Sequence, residues 1–437
     1  MNRNKKQSVS YYRVIPRLVR IGVPQTVRIL PIGRTQRFEA DVDYEVRVVP
    51  MECYEHTWIK QPPVYDTVTV RAEDGALSVT YVFDEEQEWI LSVSTAEERE
   101  AGKKPRELHI YSLMEDLYER NPYRGDLHVH SNRSDGKEDP AIVAANYRKE
   151  GFDFFALTDH NRWETSEEML SAYADVPLGI KLFHGEEVHV PDGWIHIVNF
   201  GSEYSVNTLY KENAEAVDAQ MRAEAEKIQT PKGVNALEYV YRKWVTEEIR
   251  RAGGMAIVAH PYWVTHQVYH MSDRMLDYVF ETGAYDAFEL VGGQTAHENN
   301  VQSAFYQEQR AKGRQIPIVG SSDSHGTDPA YYFGLGKTVV FAENMELDSI
   351  CDAVKTGYSV AVEQQYGGEE ARVYGTYRMV KYTRFLMDYY FPAHDELCVE
   401  EGILMREYIM GSESAGEALA AMADRGARHQ KYVLRGE

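Results

Sequence analysis

At Asp126 the texture of the chain changes, and this break constrains the fold more than any single motif. Before it, from Tyr11 to about Leu113, short β-branched and aromatic runs are separated by turn residues such as Glu73-Asp74-Gly75. The runs are YYRVIPRLVR, TVRIL, YEVRVV, TVTVRA, LSVTYVF, WILSVS and ELHIYSL. Seven strands at this spacing predict an antiparallel, all-β sandwich of immunoglobulin-like size. After Asp126, apolar strand-like runs alternate with helical stretches: DLHVH, FFALTDH, KLFHGEEV, IHIVNF, MAIVAHP, AFELVGG and IPIVGSSD. That alternation predicts an α/β fold with a parallel sheet wound with helices. One crossover helix is legible in EDPAIVAANYRKEG, where Asp139 caps, Pro140 fits the first turn and Gly151 ends the helix. The expected division is a sandwich over 1–120, an α/β domain over 121–365 and a helix-prone extension over 366–437. A charged, largely helical insertion at 208–253 is expected as a surface excursion or lid.

The 437 residues exceed what one core usually holds, so at least two units are expected. With 43% hydrophobic and 27% charged residues the composition is that of a globular protein, and no apolar run reaches the length of a membrane span. The beginning, MNRNKKQSVSYYR, lacks the apolar segment of a secretory signal, so the expected location is cytoplasmic. Cys53, Cys351 and Cys398 are far apart, which argues against a disulfide framework and against a thiolate metal site. A net charge of -22 disfavours duplex nucleic acid as a partner. A small anionic substrate would then need a local positive centre, and bound cations are the obvious source.

The chemistry-bearing residues share one location: each stands at the end of an apolar run or directly beyond it, where α/β folds build their sites. His128 and His130, two apart on a strand, project from one face. Asp135 follows in a loop. Asp159 and His160 close FFALT, Glu186 and Glu187 follow FHG, His196 follows Trp194-Ile195, His260 ends MAIVA, and Asp323 and His325 follow IVGSS. Singly, an HxH or an AHP is what many strands carry. Together, imidazoles and carboxylates from separate elements at one rim suit divalent cations, and such a cluster would be costly without a counter-ion.

In order, DLHVHSNRSDG, ALTDHN, GEEV, HIVNFG, AHP and GSSDSH resemble the motifs of the PHP (polymerase and histidinol phosphatase) superfamily, over about two hundred residues from Asp126 to Gly326. The resemblance implies a distorted (β/α)7, TIM-like barrel with a trinuclear site, and most members similar to this are phosphoesterases. Carried over, His128, His130, Glu187 and Asp323 would hold a first ion. Asp135, His160 and His325 would hold a second, and Glu187, His196 and His260 a third. Glu186 is the alternative to Glu187. The implied cofactors are two or three divalent ions, zinc, manganese or iron. Asp126 and Asp159 would orient neighbouring histidines, and Arg133 and Asn161 could touch a phosphate. His184, His189, His266, His270, His297 and His394 match no family position and are expected to be structural or exposed. Trp163, Trp194, Tyr262 and Trp263 could line a cleft, and MDYYF is expected to be core.

The function implied is a metal-dependent phosphoesterase in which water, activated to hydroxide by the ions, attacks the phosphorus of a small phosphorylated metabolite or nucleotide. Two alternatives stand beside it. A sandwich before such a barrel also resembles, in domain order and strand texture, carbaryl-hydrolase-like metallohydrolases, which would make the substrate a carbamate, amide or ester. A non-catalytic, metal-stabilised binding protein is the third.

Overall fold

A computed structural model describes residues 11–52, 65–191, 193, 195–364 and 370–437; Cys53 and Trp194 lie outside the described residues. Pro16 cannot donate to a ladder, and it divides the first apolar run into two strands that join different sheets. Tyr12–Ile15 enters an antiparallel sheet in the order Tyr12–Ile15, Pro24–Pro31, Ala76–Val82, Ala72–Glu73. Leu18–Arg20 enters a second sheet in the order Leu18–Arg20, Arg106–Leu113, Glu88–Ser94, Tyr44–Pro50, Asp66–Val70, antiparallel except at its first pair. The anticipated turn is there. Asp74 (φ 50°) and Gly75 (φ 76°) make the two-residue link between Ala72–Glu73 and Ala76–Val82, a link that requires positive φ at both central positions. Period-2 burial places Val27, Ile29, Leu77 and Val79 of the first sheet in one core with Val46, Val48, Trp89, Leu91 and Val93 of the second.

Of the described residues, those up to Asn121 form one unit together with 381–394 and 424–437, and 122–380 with 395–423 form another. The stretch expected as a C-terminal extension is thus shared out between the two. In the first unit, Tyr382 and Phe385 lie against Tyr111 with ring centroids 5.3 Å apart, and Tyr390 and Phe391 of MDYYF are buried.

The second unit is mixed α/β. One sheet runs Lys181–Phe183, Phe154–Ala156, Asn121–Asp126, Gly336–Ala342, Ser359–Glu363, Arg372–Tyr374, and the other runs Gly185–His189, His196–Phe200, Met255–Val258, Ala287–Val291, Ile318–Gly320. The expectation of a parallel sheet holds only in part. Asn121–Asp126, Phe154–Ala156 and Lys181–Phe183 are parallel, as are Met255–Val258, Ala287–Val291 and Ile318–Gly320. Gly185–His189 and His196–Phe200 pair antiparallel, the connection between His189 and His196 being too brief for a crossover, and His196–Phe200 pairs antiparallel with Met255–Val258 as well. Strands Gly336–Ala342 and Ser359–Glu363, also antiparallel, were not anticipated; their continuous apolar runs are buried on every side and show no alternation. Phe154, Ala156, Phe183 and Val340 of the first sheet share one core with Val198, Phe200, Ile257, Ala287 and Val319 of the second.

The 208–253 region is not a surface lid throughout. Helix Ala236–Arg251 buries Tyr239, Val240, Tyr241, Trp244, Val245 and Ile249 in the same cluster as Val258, Phe288 and Ile318. Even its charges, read from the sequence as a solvated decoration, are partly buried: Arg242 and Glu248 are enclosed with the apolar face. Helix Pro140–Lys149 starts as expected, with the Asp139 side chain accepting from the Ala141 N–H. Cys351 and Cys398 are buried. Among the described residues no helix is long and apolar enough to cross a membrane.

Candidate metal centre

Glu187 organises the site. The chain turns from Phe183 into Gly185–His189 at Gly185, where a Cβ would lie 2.8 Å from the Leu157 carbonyl oxygen; only glycine lets the strand pass so close. Successive residues then face opposite ways. Glu186 turns from the histidines and accepts from the Asn199 and Asn207 amides, the Ser205 hydroxyl and the Val206 N–H. Glu187, fully buried, turns toward six imidazoles. Its Oε2 lies 2.8 Å from His160 Nδ1, 3.3 Å from His128 Nε2, 3.3 Å from His189 Nε2 and 3.6 Å from His130 Nε2. Its Oε1 lies 2.8 Å from His196 Nδ1 and 3.2 Å from His260 Nε2.

Two further carboxylates complete the cluster. Asp323 Oδ1 is 2.9 Å from His130 Nε2 and 3.2 Å from His128 Nε2. Asp135 Oδ1, half exposed, is 3.4 Å from His160 Nε2 and 3.3 Å from His325 Nε2. All nine residues marked in the sequence as ligands therefore come together, in groups whose donor atoms lie within 4.8 Å of one another.

Backbone geometry explains how distant segments converge. The strand ends at Asp126, so His128 and His130 stand just beyond it and not on it. Alternation nonetheless persists, with Leu127 and Val129 buried in apolar clusters and both histidines on the other side. His196 opens its strand, whereas the sequence placed it after one; the antiparallel register sets it opposite His189 and so at the same rim. His260 (φ 25°), Asp323 (φ 48°) and Asn161 (φ 57°) are non-glycine residues in the left-handed region, a strain of about 1–3 kcal/mol each that collects at functional sites.

Asp126 and Asp159 do not touch imidazoles, contrary to expectation. Asp126 accepts from the His128 and Ser322 N–H groups and the Tyr147 hydroxyl, and Asp159 accepts from the Ser131 N–H and from the Ser131 and Ser134 hydroxyls. They hold the loops that carry the ligands. Burial raises the Asp126 carboxyl to about 7 against these hydrogen bonds. Arg133 is also misplaced by the sequence reading: its guanidinium is engaged by Glu168, Asp139 and Asn132, not directed at the cluster. Asn161 contributes its backbone, the N–H donating to the Glu187 carbonyl.

Three residues of the site escaped the sequence reading. Glu289, fully buried, accepts from His128 Nδ1 at 3.0 Å, which leaves His128 Nε2 directed at Glu187 and Asp323. His189 joins His160 and Glu187. His270 is buried, with its ring 4.5 Å from that of His196. A lone carboxylate inside the all-buried strand Ala287–Val291, and a histidine two residues past Glu187, were the available signals. Of the aromatic candidates, Trp263 does flank the cluster, 5.6 Å from the His260 ring, while Trp163 stacks on His184 and Tyr262 is buried.

Electrostatics divide the rings. Burial holds His130 and His196 down at about 4 and His270 at about 2. Burial also opposes charge on His160, but Glu187 and Asp135 overcome it and lift that ring to about 10. Glu187 and Asp323, despite burial, are held well below the usual carboxylate range by the surrounding histidines.

Do these residues fit a cation? Imidazole nitrogen and carboxylate oxygen bind zinc-like ions at about 2.0–2.2 Å, so neighbouring donors around one ion stand about 2.8–3.6 Å apart. The separations above run from 2.8 to 3.6 Å. Buried His128 Nε2, His196 Nδ1 and Glu187 Oε2 also lack a hydrogen bond of acceptable geometry among the described residues. The donor set fits.

A mixed α/β unit with a rim of converging imidazoles and carboxylates defines a metal-binding class of protein. Residues 126–247 match the PHP domain family, so this stretch of the chain is similar to a PHP domain. The match ends inside helix Ala236–Arg251, so it takes in most of that helix. No curated protein matches the chain. Among solved structures, it is similar at 18% identity and a TM-score of 0.41 to a two-domain protein of Bacteroides vulgatus containing a predicted PHP-like metal-dependent phosphoesterase, covering 56% of this chain and 65% of that one. A candidate metal-dependent phosphoesterase of Bifidobacterium adolescentis is 18% identical, with a TM-score of 0.34 and coverages of 46% and 88%. An amidohydrolase of Chromobacterium violaceum, with sulfate bound and no metal, is 22% identical, with a TM-score of 0.31 and coverages of 46% and 87%.

Proposed function

We propose that the chain is a metal-dependent hydrolase, and that its substrate is a small phosphoester. The observation that carries this reading is the convergence of nine His, Asp and Glu side chains at the spacing of donors around an ion. In this reading His128, His130, Glu187 and Asp323 hold one ion, Asp135, His160 and His325 a second, and Glu187, His196 and His260 a third. Zinc, manganese or iron, two or three ions in all, would supply a Lewis acid that lowers the pKa of water and neutralises phosphoryl oxygens. The two sheets of the second unit would be the parts of a distorted (β/α)7 barrel, and the two sheets of the first a sandwich before it.

The chain's own groups do the rest by positioning. Glu289 fixes His128 with Nε2 bare, and the Asp323 carbonyl oxygen does the same for His325 by accepting from Nδ1 at 2.8 Å. Asp126 ties the His128 loop to the Ser322 loop, so that His128 and Asp323 are held in register. Asp135, His160 and His325 are the more exposed members, and they mark the side from which substrate and water arrive. The test is turnover of p-nitrophenyl phosphate beside 1-naphthyl methylcarbamate by the metal-loaded protein. Phosphate release is expected; turnover of the carbamate alone would overturn the phosphoester assignment.

A further inference from the structure

His189 matches none of the nine positions, yet the strand that carries Glu187 delivers it to the same place. Residues two apart on Gly185–His189 share a face, and the antiparallel register sets His189 opposite His196. Its N–H donates to Asn207 Oδ1 at 3.2 Å, and the Asn207 amide donates in turn to Glu186, so the backbone is fixed from behind. Its ring stacks on that of His196, centroids 3.8 Å apart and planes 27° from parallel. Nε2 then lies 3.3 Å from Glu187 Oε2 and 3.1 Å from His160 Nδ1, which are themselves 2.8 Å apart. Three donor atoms with these edges form one face of a coordination polyhedron. As a hydrogen-bonded group the same triangle is poor, because Glu187 Oε2 makes no hydrogen bond of acceptable geometry among the described residues.

We infer that His189 is a tenth metal donor, acting with Glu187 Oε2 and with His160 through Nδ1, in place of the Nε2 that faces Asp135. The inference rests on the metal-centre reading above. An extra neutral imidazole makes this corner richer in nitrogen, and it favours a borderline cation such as Zn2+ over hard Mg2+.

The full-length protein, stripped with a chelator, is titrated with Zn2+ alone in excess Mg2+, and with Co2+ for its visible bands. Wild type is compared with His189→Phe, which keeps a ring against His196 but cannot ligate, with His189→Gln, and with Glu187→Gln. Both His189 variants are expected to bind one ion more than about tenfold more weakly and to show altered Co2+ bands. Variants with wild-type stoichiometry, affinity and spectrum, beside a Glu187→Gln protein that has lost its metal, overturn the role of His189 and leave the centre standing. A wild-type protein that binds no ion overturns both. If the variants do not fold, crystals of zinc-loaded wild type decide: anomalous density within about 2.3 Å of His189 Nε2 is expected, and its absence there beside occupied neighbouring sites contradicts the assignment.

Discussion

Glu98 and Glu187 are both carboxylates among cationic or potentially cationic partners, and their surroundings differ in kind. Glu98, in the first unit, accepts from Arg106 through two nitrogens at 2.9 and 2.7 Å and from the Thr95 N–H at 3.0 Å. Donors face acceptors, and the group is complete within the protein. Glu187, in the second unit, faces six imidazole nitrogens, and its Oε2 has no hydrogen bond of acceptable geometry among the described residues. Buried polar atoms left this way cost about 1–3 kcal/mol each, so a fold that collects several must recover the loss from something it binds. Charge paired by the protein itself is structural; charge arranged so that lone pairs converge is a socket for a cation.

The contrast breaks most visibly at Glu187. Glu187→Gln should lower phosphoester turnover by more than about 100-fold, beyond the effect of losing an outer partner, as measured by steady-state kinetics at saturating zinc. Unchanged turnover would mean that the cluster is not the reaction site. Chelation separates the two units next. An ion at 100 times its dissociation constant adds about 2.7 kcal/mol to the fold that binds it. Calorimetry should therefore show the transition of the second unit falling on chelation and returning with metal, while that of the first stays in place; a common shift would deny that the dependence is local.

Glu289→Gln is a smaller cut, since the imidazole of His128 remains but loses its anionic support. Zinc affinity should drop about tenfold in a competition titration, and an unaltered affinity would reduce Glu289 to packing. The least effect belongs to Glu98. Hydrogen bonds from Arg106 hold its carboxyl at about 2, below its ordinary 4.5. Its contribution is therefore present in full above about 4.5 and is lost as pH falls through about 2. Glu98→Gln should cost less than about 1 kcal/mol at neutral pH and flatten the acid limb of denaturant stability. A mutant that keeps the wild-type acid limb would show that this pair contributes nothing measurable.

Much of the site was legible because its ligands are chemically conspicuous at the ends of apolar runs. The choice of Glu187 over Glu186 came from the family resemblance, whereas His128 with His130 follows from side-chain alternation alone. His189 obeys the same rule and was passed over only because it lay outside a known pattern. Glu289 was hidden for the opposite reason: AFELV is an apolar run, and nothing local tells whether its single carboxylate meets solvent or a histidine 161 residues away. Arg133, Asp126 and Asp159 had the right neighbours in sequence but the wrong partners in space, since acceptors such as Glu168 come from a separate helix. Strand direction was equally hidden. The apolar run IHIVNF is the same whether it is read up or down, and only the short turn before His196 forces it antiparallel.

Elemental analysis of the purified protein, set beside Glu187→Gln, tests the central claim most directly. The account requires two or three equivalents of zinc, manganese or iron per wild-type chain, and their loss from the variant. A wild-type protein that carries no such metal and takes none up on dialysis against these ions would contradict it.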